Sequence, residues 1–196
     1  MNEAFIFDSI RSPRGKNKNG SLSQITPVDL LSKLMLALEK KYQLDTSLIN
    51  DVIIGCVMPV NDQGANIGKI AAQYSGWDVD IPSMQINRCC GSGLEAVNLA
   101  AMKIRSGWED LIVSGGIECM SRVPIGADGG PMAFETKVSS RTNYVPQGIG
   151  ADLIATIEGF TRRDLDAYAL MSQKRASKAI KNKRFRSLVP IYDQND

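Results

Sequence analysis

The fold is decided by residues 84–94, which read Met84-Gln85-Ile86-Asn87-Arg88-Cys89-Cys90-Gly91-Ser92-Gly93-Leu94. The start of this stretch predicts a short strand over Met84–Ile86, and the apolar spacing from Gly91 to Arg105 predicts a helix. The predicted inward face of that helix consists of Leu94, Val97, Ala101 and Ile104. A strand that enters a helix through a Gly-Ser-Gly turn holds the residue at the junction in a fixed and often exposed position. That residue is Cys90.

Strand and helix patterns alternate on both sides of this stretch. Strands are predicted where short apolar runs are bounded by turn residues, at Ala4–Asp8, Asp51–Val57 and Leu111–Ser114. Helices are predicted from Pro27, behind a Thr26 N-cap, and over Ile67–Tyr74. This alternation predicts an α/β fold built from βαβ units, in which a mainly parallel, mixed sheet is flanked by helices.

The pattern changes after about Ser121. Residues 122–150 are rich in Gly, Pro and polar residues and show no sustained period, which predicts an excursion away from the sheet. Thr161 and Asp164 then form the capping box of a helix predicted over residues 162–181. The apolar run Leu188–Tyr192 has the pattern of a strand start. We therefore predict a core at residues 1–121 and a second region at residues 122–196.

Composition argues against several classes of protein. The chain has 196 residues, of which 43% are hydrophobic and 22% are charged, and its formal net charge is +2. So small a charge argues against a dedicated nucleic-acid binder, whose phosphate contacts need a basic excess. No window approaches about 18 uninterrupted apolar residues, and the N-terminus lacks the basic and apolar regions of a signal peptide. We expect neither a nucleic-acid partner nor a membrane partner, and a cytoplasmic location.

The cysteine and histidine content limits the chemistry. Cys56, Cys89, Cys90 and Cys119 match neither a disulfide framework nor a Cys-x-x-Cys metal motif. The chain contains no histidine, so we expect no metal site. It also lacks the commonest general base near neutral pH. Any catalysis therefore proceeds without imidazole, or with an imidazole supplied from elsewhere.

The predicted surroundings of Cys90 favour a reactive thiolate. At the start of a helix, unsatisfied backbone N–H groups and the positive end of the helix dipole stabilise negative charge on sulfur. The same N–H groups are suited to hold the oxyanion of a tetrahedral acyl intermediate. Cys56 and Cys119 lie at or beside predicted buried strands and are predicted to be inert core thiols.

Three alternatives stay open from the local pattern. In the first, Cys90 is a structural cysteine at a tight helix start. In the second, it belongs to a Gly-rich turn that binds phosphate, and in the third it forms a redox pair with Cys89. The phosphate motif Gly-x-Gly-x-x-Gly is incomplete, because position 96 is Ala. A disulfide between the adjacent residues Cys89 and Cys90 would be strained.

The stretch from Asn87 to Val97 resembles the nucleophile motif of the thiolases, in which Asn, two further residues and the reactive Cys precede a small-Ser-Gly-Leu helix start. Gly115-Gly116-Ile117-Glu118-Cys119-Met120-Ser121 is similar to the Gly-Gly-x-Glu-x-Met-Ser block of that family. Other similar segments are Arg11-Ser12-Pro13, Asn66-Ile67-Gly68-Lys69 with Lys69 in place of the usual Arg, Val145-Pro146-Gln147-Gly148, and residues 166–173. The resemblance therefore covers essentially the whole chain, in order.

The resemblance implies the N-terminal half of a thiolase-like α/β fold, with its core at residues 1–121. Residues 122–196 then start the family's inserted loop domain, which borders coenzyme A and is incomplete here. Cys90 is implied to be the catalytic nucleophile, and Gln147 and Gly148 are implied to border the acyl-CoA channel. The implied reaction of the complete enzyme is acyl-CoA C-acyltransfer, as thiolysis of a 3-ketoacyl-CoA or Claisen condensation of acetyl-CoA. The partner is then acyl-CoA or CoA as substrate, with no further cofactor.

The resemblance also implies what these residues do not supply. Thiolases are about twice this length, and their second half provides a Gly-His-Pro histidine and the second Cys of a Cys-x-Gly motif. We therefore expect inactivity alone, and association as a homo-oligomer or with a separate C-terminal thiolase half. The alternative from another class is a non-catalytic remnant or subunit that binds CoA or a partner. Nine Lys or Arg and two Asp or Glu between Thr161 and Arg186 form either a solvated basic face or contacts to CoA phosphates.

Overall fold

The computed structural model describes residues 2–192. The chain divides into two compact units. The first comprises Met1–Asp128 together with Ser187–Asp196, and the second comprises Gly129–Arg186. The division after residue 121 that the sequence suggests stays a prediction.

The first unit contains a three-stranded parallel sheet. Its strands are β1 (Asp51–Gly55), β2 (Ser83–Ile86) and β3 (Ile112–Gly116), in the order β2-β1-β3. Ile53, in the central strand β1, pairs with Met84 of β2 and Ser114 of β3. All five residues of β1 are buried. Val52, Ile53 and Ile54 form the apolar run of a central parallel strand, and the buried Asp51 pairs with Lys103. The predicted α/β fold is confirmed.

Helices cover both faces of this sheet. α1 (Pro27–Tyr42) and α2 (Ile67–Tyr74) lie on one face, and α3 (Ser92–Ser106) lies on the other. Successive residues of a strand point to opposite faces. Val52 and Ile54 of β1 therefore pack into the core beneath α1 and α2, whereas Ile53 packs into the core beneath α3.

The sequence signals for these helices hold in the structure. Thr26 caps α1, because its side chain accepts a hydrogen bond from the Asp29 N–H, and Pro27 occupies the first turn. α2 spans the predicted residues Ile67–Tyr74. Its start is set by Asn66, whose side chain accepts a hydrogen bond from the Lys69 N–H.

α3 lies so close to the sheet that only small residues fit between them. A Cβ atom at Gly55 of β1 would lie 2.3 Å from the carbonyl carbon of Ser92. A Cβ atom at Gly116 of β3 would lie 3.3 Å from the Cα of Gly93. Backbone contact therefore requires glycine at position 55 and leaves little space at position 116. This contact fixes the start of α3, and with it the turn that contains Cys90.

The second unit is helical. Its helices are α4 (Pro131–Phe134), α5 (Thr136–Thr142), α6 (Gln147–Ile157) and α7 (Arg162–Lys181). α7 begins and ends as the sequence predicts, and the capping box of Thr161 and Asp164 is formed. The excursion after Ser121 therefore contains short helices that its aperiodic sequence does not indicate. Every residue of α6 and α7 is at least partly exposed.

The predicted strand over Ala4–Asp8 is wrong. These residues belong to no strand, and Phe5, Ile6 and Phe7 are 66%, 76% and 86% exposed. A strand needs a neighbour for its backbone hydrogen bonds. Within residues 2–192 the sheet consists of β1, β2 and β3, so the apolar pattern at Ala4–Asp8 has no such neighbour.

The predicted strand start at Leu188–Tyr192 is reduced to an isolated bridge. The Arg11 N–H donates to the Ser187 carbonyl at 2.9 Å, and the Val189 N–H donates to the Arg11 carbonyl at 2.9 Å. Two hydrogen bonds to a single residue do not make a strand, because the ladder needs successive pairs.

The predicted inward face of α3 is wrong at Leu94, whereas its other members, Val97, Ala101 and Ile104, are partly buried. The buried residues of α3 are Ser92, Ala96 and Ala100, whereas Leu94 is 69% exposed. The apolar spacing of the sequence assigns the larger side chains to the core. The close approach of α3 to Gly55 instead leaves space for small side chains where the helix lies nearest the sheet. Leu94 and Met102 point outward, and Leu99 packs at the edge of the core.

We expect Gly55→Ala to lower the free energy of unfolding by about 3 kcal/mol or more, because the added methyl group would overlap the backbone of Ser92. Urea unfolding followed by circular dichroism measures this change. Gly115→Ala is the matched control, since nothing lies within 4 Å of a Cβ at that position. Equal stability of the two variants would contradict the backbone contact.

Candidate active site at the carboxyl ends of the strands

The predicted site residue Cys90 lies between the end of β2 at Ile86 and the start of α3 at Ser92. Both Cys89 and Cys90 are exposed. Cys89 has a φ of 45°, a left-handed conformation that is unfavourable for most residues with a side chain. Non-glycine residues in this conformation persist only where the surrounding structure holds them. The turn before α3 is therefore a constrained one.

Hydrogen bonds account for that constraint. The side-chain oxygen of Asn87 accepts from the Cys89 N–H at 2.9 Å. Ser92, which is 3% exposed, accepts from the Arg88 N–H at 2.9 Å and donates to the Cys89 carbonyl at 2.6 Å. The Gly91 and Ser92 N–H groups donate to the Arg88 and Cys89 carbonyls, both at 3.0 Å. None of these bonds uses the N–H of Cys90, the group that a bound oxyanion beside Cys90 would need.

The site lies where the three strands end. Val57 follows β1, Asn87 follows β2 and Glu118 follows β3. In open parallel sheets, ligands bind in the crevice outside the carboxyl ends of the strands. The Asn87 side-chain amide donates to the Val57 carbonyl at 3.0 Å, so the loop after β2 is tied to the loop after β1.

Sequence reasoning missed Gln63, which is fully buried below this edge of the sheet. Its amide nitrogen donates to the Met58 carbonyl at 2.9 Å and to a Glu118 carboxylate oxygen at 2.6 Å. Its amide oxygen accepts from the Cys119 N–H at 2.6 Å. Gln63 ends a short 3-10 helix, Asn61–Gln63, in a polar stretch with no sequence motif, so nothing in the sequence distinguishes it from a solvated glutamine. Glu118 falls in a recognisable block, but the block alone does not indicate which atoms it contacts.

The other two cysteines are core residues, as predicted. Cys56 and Cys119 are 1% and 9% exposed. Burial, reinforced by the negative charge of Glu118, raises the pKa of each thiol to about 11. Both thiols are therefore protonated at neutral pH and poorly nucleophilic.

Gln147 and Gly148 lie in the second unit, in the first turn of α6, and both are exposed. The proposed role of these two residues at an acyl-CoA channel stays a prediction. The basic residues of α7 belong to the same unit. Lys174, Arg175 and Lys178 line a shallow depression of about 420 Å³ together with Leu170 and Met171.

A family model described as the N-terminal domain of thiolase matches residues 4–196. The chain belongs to the thiolase family. The match runs through both units, and the family resemblance of the Cys90 and Glu118 segments is therefore part of a continuous alignment.

Curated relatives agree with this assignment. The chain is 35% identical over 199 residues to the 3-ketoacyl-CoA thiolase of Shewanella loihica, covering 100% of this chain and 51% of the relative. It is 33% identical over 192 residues to the 3-ketoacyl-CoA thiolase of Bacillus subtilis, covering 97% and 49%. It is 31% identical over 196 residues to a steroid 3-ketoacyl-CoA thiolase of Mycobacterium tuberculosis, covering 94% and 48%. The chain spans about half the length of the curated thiolases it matches.

Residues 2–192 contain neither a candidate membrane span nor a candidate metal cluster. None of the helices in that range is both long enough and apolar enough to cross a membrane. In the same range, no group of three or more His, Cys, Asp or Glu side chains is arranged to hold a metal ion. All four cysteines are free.

We expect iodoacetamide at pH 7 to label Cys90 faster than Cys56 and Cys119, because the latter two thiols are buried and have a raised pKa of about 11. Peptide mass mapping of a time course measures the individual rates. Since Cys89 is also exposed, the variants Cys89→Ser and Cys90→Ser separate the two adjacent thiols. Faster labelling of Cys56 or Cys119 than of Cys90 in the folded chain would contradict the site.

Proposed function

We propose that this chain is the nucleophile-bearing half of an acyl-CoA C-acyltransferase, and that Cys90 carries the acyl group. The observation that carries the proposal is the placement of an exposed Cys90 at the start of α3, at the carboxyl ends of the three parallel strands. The family membership supports the choice of reaction. The 3-ketoacyl-CoA thiolases among the relatives support thiolysis of a 3-ketoacyl-CoA, or its Claisen reverse, as the overall activity.

The half-reaction that this site supports is transfer of an acyl group to sulfur. Cys90 loses its proton to a base, and the sulfur attacks the carbonyl carbon of the acyl-CoA thioester. The bond between the carbonyl carbon and the CoA sulfur then breaks, and the CoA thiolate takes up a proton. The products are a thioester on Cys90 and free CoA. The Cys90 N–H is the proposed donor to the oxyanion of the tetrahedral intermediate.

The constrained turn favours this step by positioning the sulfur. Ser92, Asn87 and the close contact of α3 with Gly55 hold the backbone around Cys90 before any substrate arrives. A nucleophile that is already placed does not lose conformational freedom in the transition state. Gly93 adds to this placement, because it lets the start of α3 lie against the backbone of Gly116.

The second half-reaction needs groups that these residues do not contain. Condensation or thiolysis moves a proton at the α-carbon of acetyl-CoA or on a leaving thiol, and the 196 residues contain no histidine. Cys56 and Cys119 are buried and protonated, so they are unsuited to this task. We propose that the base comes from a polypeptide that matches the other half of the relatives.

Exposed apolar surface in the first unit agrees with such a partner. Phe5, Ile6 and Phe7 are largely exposed, as are Leu94 and Met102 on the outer side of α3. Apolar surface of this kind is normally covered by another protein surface. A homo-oligomer is the other proposed association, and a non-catalytic CoA-binding or partner-binding subunit is the rival function.

We expect the purified 196-residue chain to show no measurable turnover of acetoacetyl-CoA with CoA. Loss of general acid/base catalysis costs about 10² to 10⁴ in rate, and loss of one oxyanion donor costs about 10² to 10³. A spectrophotometric thiolysis assay, with and without an added polypeptide corresponding to the second half, measures the activity. Turnover within about a hundredfold of that of an ordinary thiolase, from this chain alone, would contradict the proposal.

A second measurement tests the acyl-enzyme directly. Incubation with an acetyl thioester, followed by acid quenching and peptide mass spectrometry, is expected to place a single acetyl group on Cys90. The matched controls are Cys90→Ser, which should lose the modification, and Cys89→Ser, which should retain it. If Cys90 stays unmodified even when the second half is present, and CoA still binds, the rival reading as a non-catalytic subunit is supported instead.

A further inference from the structure

Glu118 binds the segment that follows β1 through both of its carboxylate oxygens. One carboxylate oxygen accepts from the Val57 N–H at 2.9 Å, and the other accepts from the Gln63 amide at 2.6 Å. Although Glu118 is an exposed residue, both of its oxygens are therefore engaged. The Glu118 carboxylate therefore joins the segment after β3 to the segment after β1, and its partners Val57 and Gln63 lie 61 and 55 positions earlier in the sequence.

The backbone of Val57 links Glu118 to the turn that contains Cys90. Its N–H donates to Glu118, and its carbonyl accepts from the Asn87 amide at 3.0 Å. Asn87 in turn accepts from the N–H of Cys89, the residue with the left-handed backbone. A continuous series of hydrogen bonds therefore runs from Gln63 through Glu118, Val57 and Asn87 to the residue before Cys90.

Gln63 is the fixed end of this series. It is fully buried, and both ends of its amide are bonded, to Met58, Glu118 and Cys119. A buried amide with satisfied hydrogen bonds is costly to move, because any rotation leaves a buried polar group without a partner. Gln63 therefore holds Glu118 in one position relative to the ends of β1 and β3.

We propose that Gln63 and Glu118 are positioning residues that act through Val57 and Asn87 to hold the turn of Cys90 in its reactive conformation. They touch neither Cys90 nor, in this arrangement, a reacting atom. Their effect is to keep the Cys89 backbone left-handed and the N–H groups at the start of α3 aligned beside the sulfur. The proposal rests on the proposed function only in taking Cys90 as the reacting thiol.

Glu118→Gln is the first test. The substitution keeps the size of the side chain, but glutamine offers one acceptor oxygen where the structure needs two. Either the Val57 N–H or the Gln63 amide then faces another donor. We expect the rate constant for alkylation of Cys90 by iodoacetamide to fall about three- to tenfold, since the charge-stabilising N–H groups lose their alignment.

The matched control is Asp62→Asn. Asp62 is adjacent to Gln63 and pairs with Arg122, with 2.6 Å between the Asp62 oxygen and the Arg122 Nε. This substitution removes an interaction of the same loop without touching the series of hydrogen bonds. We expect Cys90 in Asp62→Asn to react within about twofold of the unsubstituted chain, because the two sites share no partner.

Exchanging the two side chains, so that glutamate stands at 63 and glutamine at 118, tests whether the hydrogen bonds between these positions matter. In the double variant Gln63→Glu with Glu118→Gln, the new amide at 118 accepts from Val57 and donates to the carboxylate at 63, which also accepts from Cys119. The hydrogen bonds from the amide at position 63 to the Met58 carbonyl and to the Cys56 sulfur are lost. We expect this double variant to react faster at Cys90 than Glu118→Gln alone. Continued protection of Cys56 and Cys119 in both variants would show that the two chains are equally folded, so that a faster reaction at Cys90 reports the position of its turn.

Asn87→Ser tests the other end of the series. Serine accepts from the N–H two residues on, as in an ST-turn, but it is too short to reach the Val57 carbonyl. Because Asn87 is exposed, this variant keeps the core intact. We expect the same slowing of Cys90, with the labelling of Cys56 and Cys119 still protected as evidence that the chain is folded.

The outcomes are decisive. A Glu118→Gln chain that protects Cys56 and Cys119 yet alkylates Cys90 as fast as Asp62→Asn overturns the proposal. If Glu118→Gln unfolds and labels all four cysteines, Asn87→Ser decides, and an unchanged Cys90 rate there overturns the proposal as well. Alkylation requires no acyl-CoA and no second half. A failure of acyl transfer to Cys90 therefore counts against the proposed function, and not against the positioning series.

Discussion

The backbone contact between β1 and the start of α3 is the constraint on which the rest of the first unit depends. At Gly55 the sheet has no side chain, and the peptide of Ser92 occupies the space that a Cβ would take. This contact sets the depth at which α3 lies on the sheet, which explains why Ser92, Ala96 and Ala100 form its inner face. It also explains why Leu94 points outward. The position of Cys90, two residues before α3, follows from the same contact.

The carboxyl ends of the three strands are held together by side chains rather than by strand pairing. Beyond the last ladder pairs, Asn87, Gln63 and Glu118 link the loops that follow β2, β1 and β3. Polar side chains suit this purpose because loops cannot satisfy their backbone groups through a ladder. A chain that places a cysteine in a strained turn needs such links, since the left-handed backbone of Cys89 is stable only where its neighbours hold it. The hydrogen bonds that stabilise these loops are therefore the same ones that set the geometry of the site.

Family membership and structure point to a chain whose apolar surface exceeds what its own fold covers. The segment at Phe5, Ile6 and Phe7 has the short apolar run of a strand but lies outside the sheet. α3 likewise presents Leu94 and Met102 to solvent. These features agree with the proposed association with further polypeptide, in line with the half-length match to the curated thiolases. They do not depend on the identity of the acyl substrate.

The sequence by itself determined the elements that local chemistry controls. The Thr26 and Thr161 caps, the helix over Ile67–Tyr74 and the strand-to-turn-to-helix passage around Cys90 were predictable, because capping residues, turn glycines and apolar periodicity act within a few residues. Only the tertiary structure decided which apolar segments pair with a strand or pack against the sheet. Ala4–Asp8 has a strand pattern but no neighbouring strand within residues 2–192. Ser92, Ala96 and Ala100 are the buried residues of α3, and Leu94 is exposed, because the start of this helix lies against the backbone of Gly55. Gln63 became a buried link only through contacts with Glu118 and Cys119, which lie more than fifty positions away and leave no signal in its own loop.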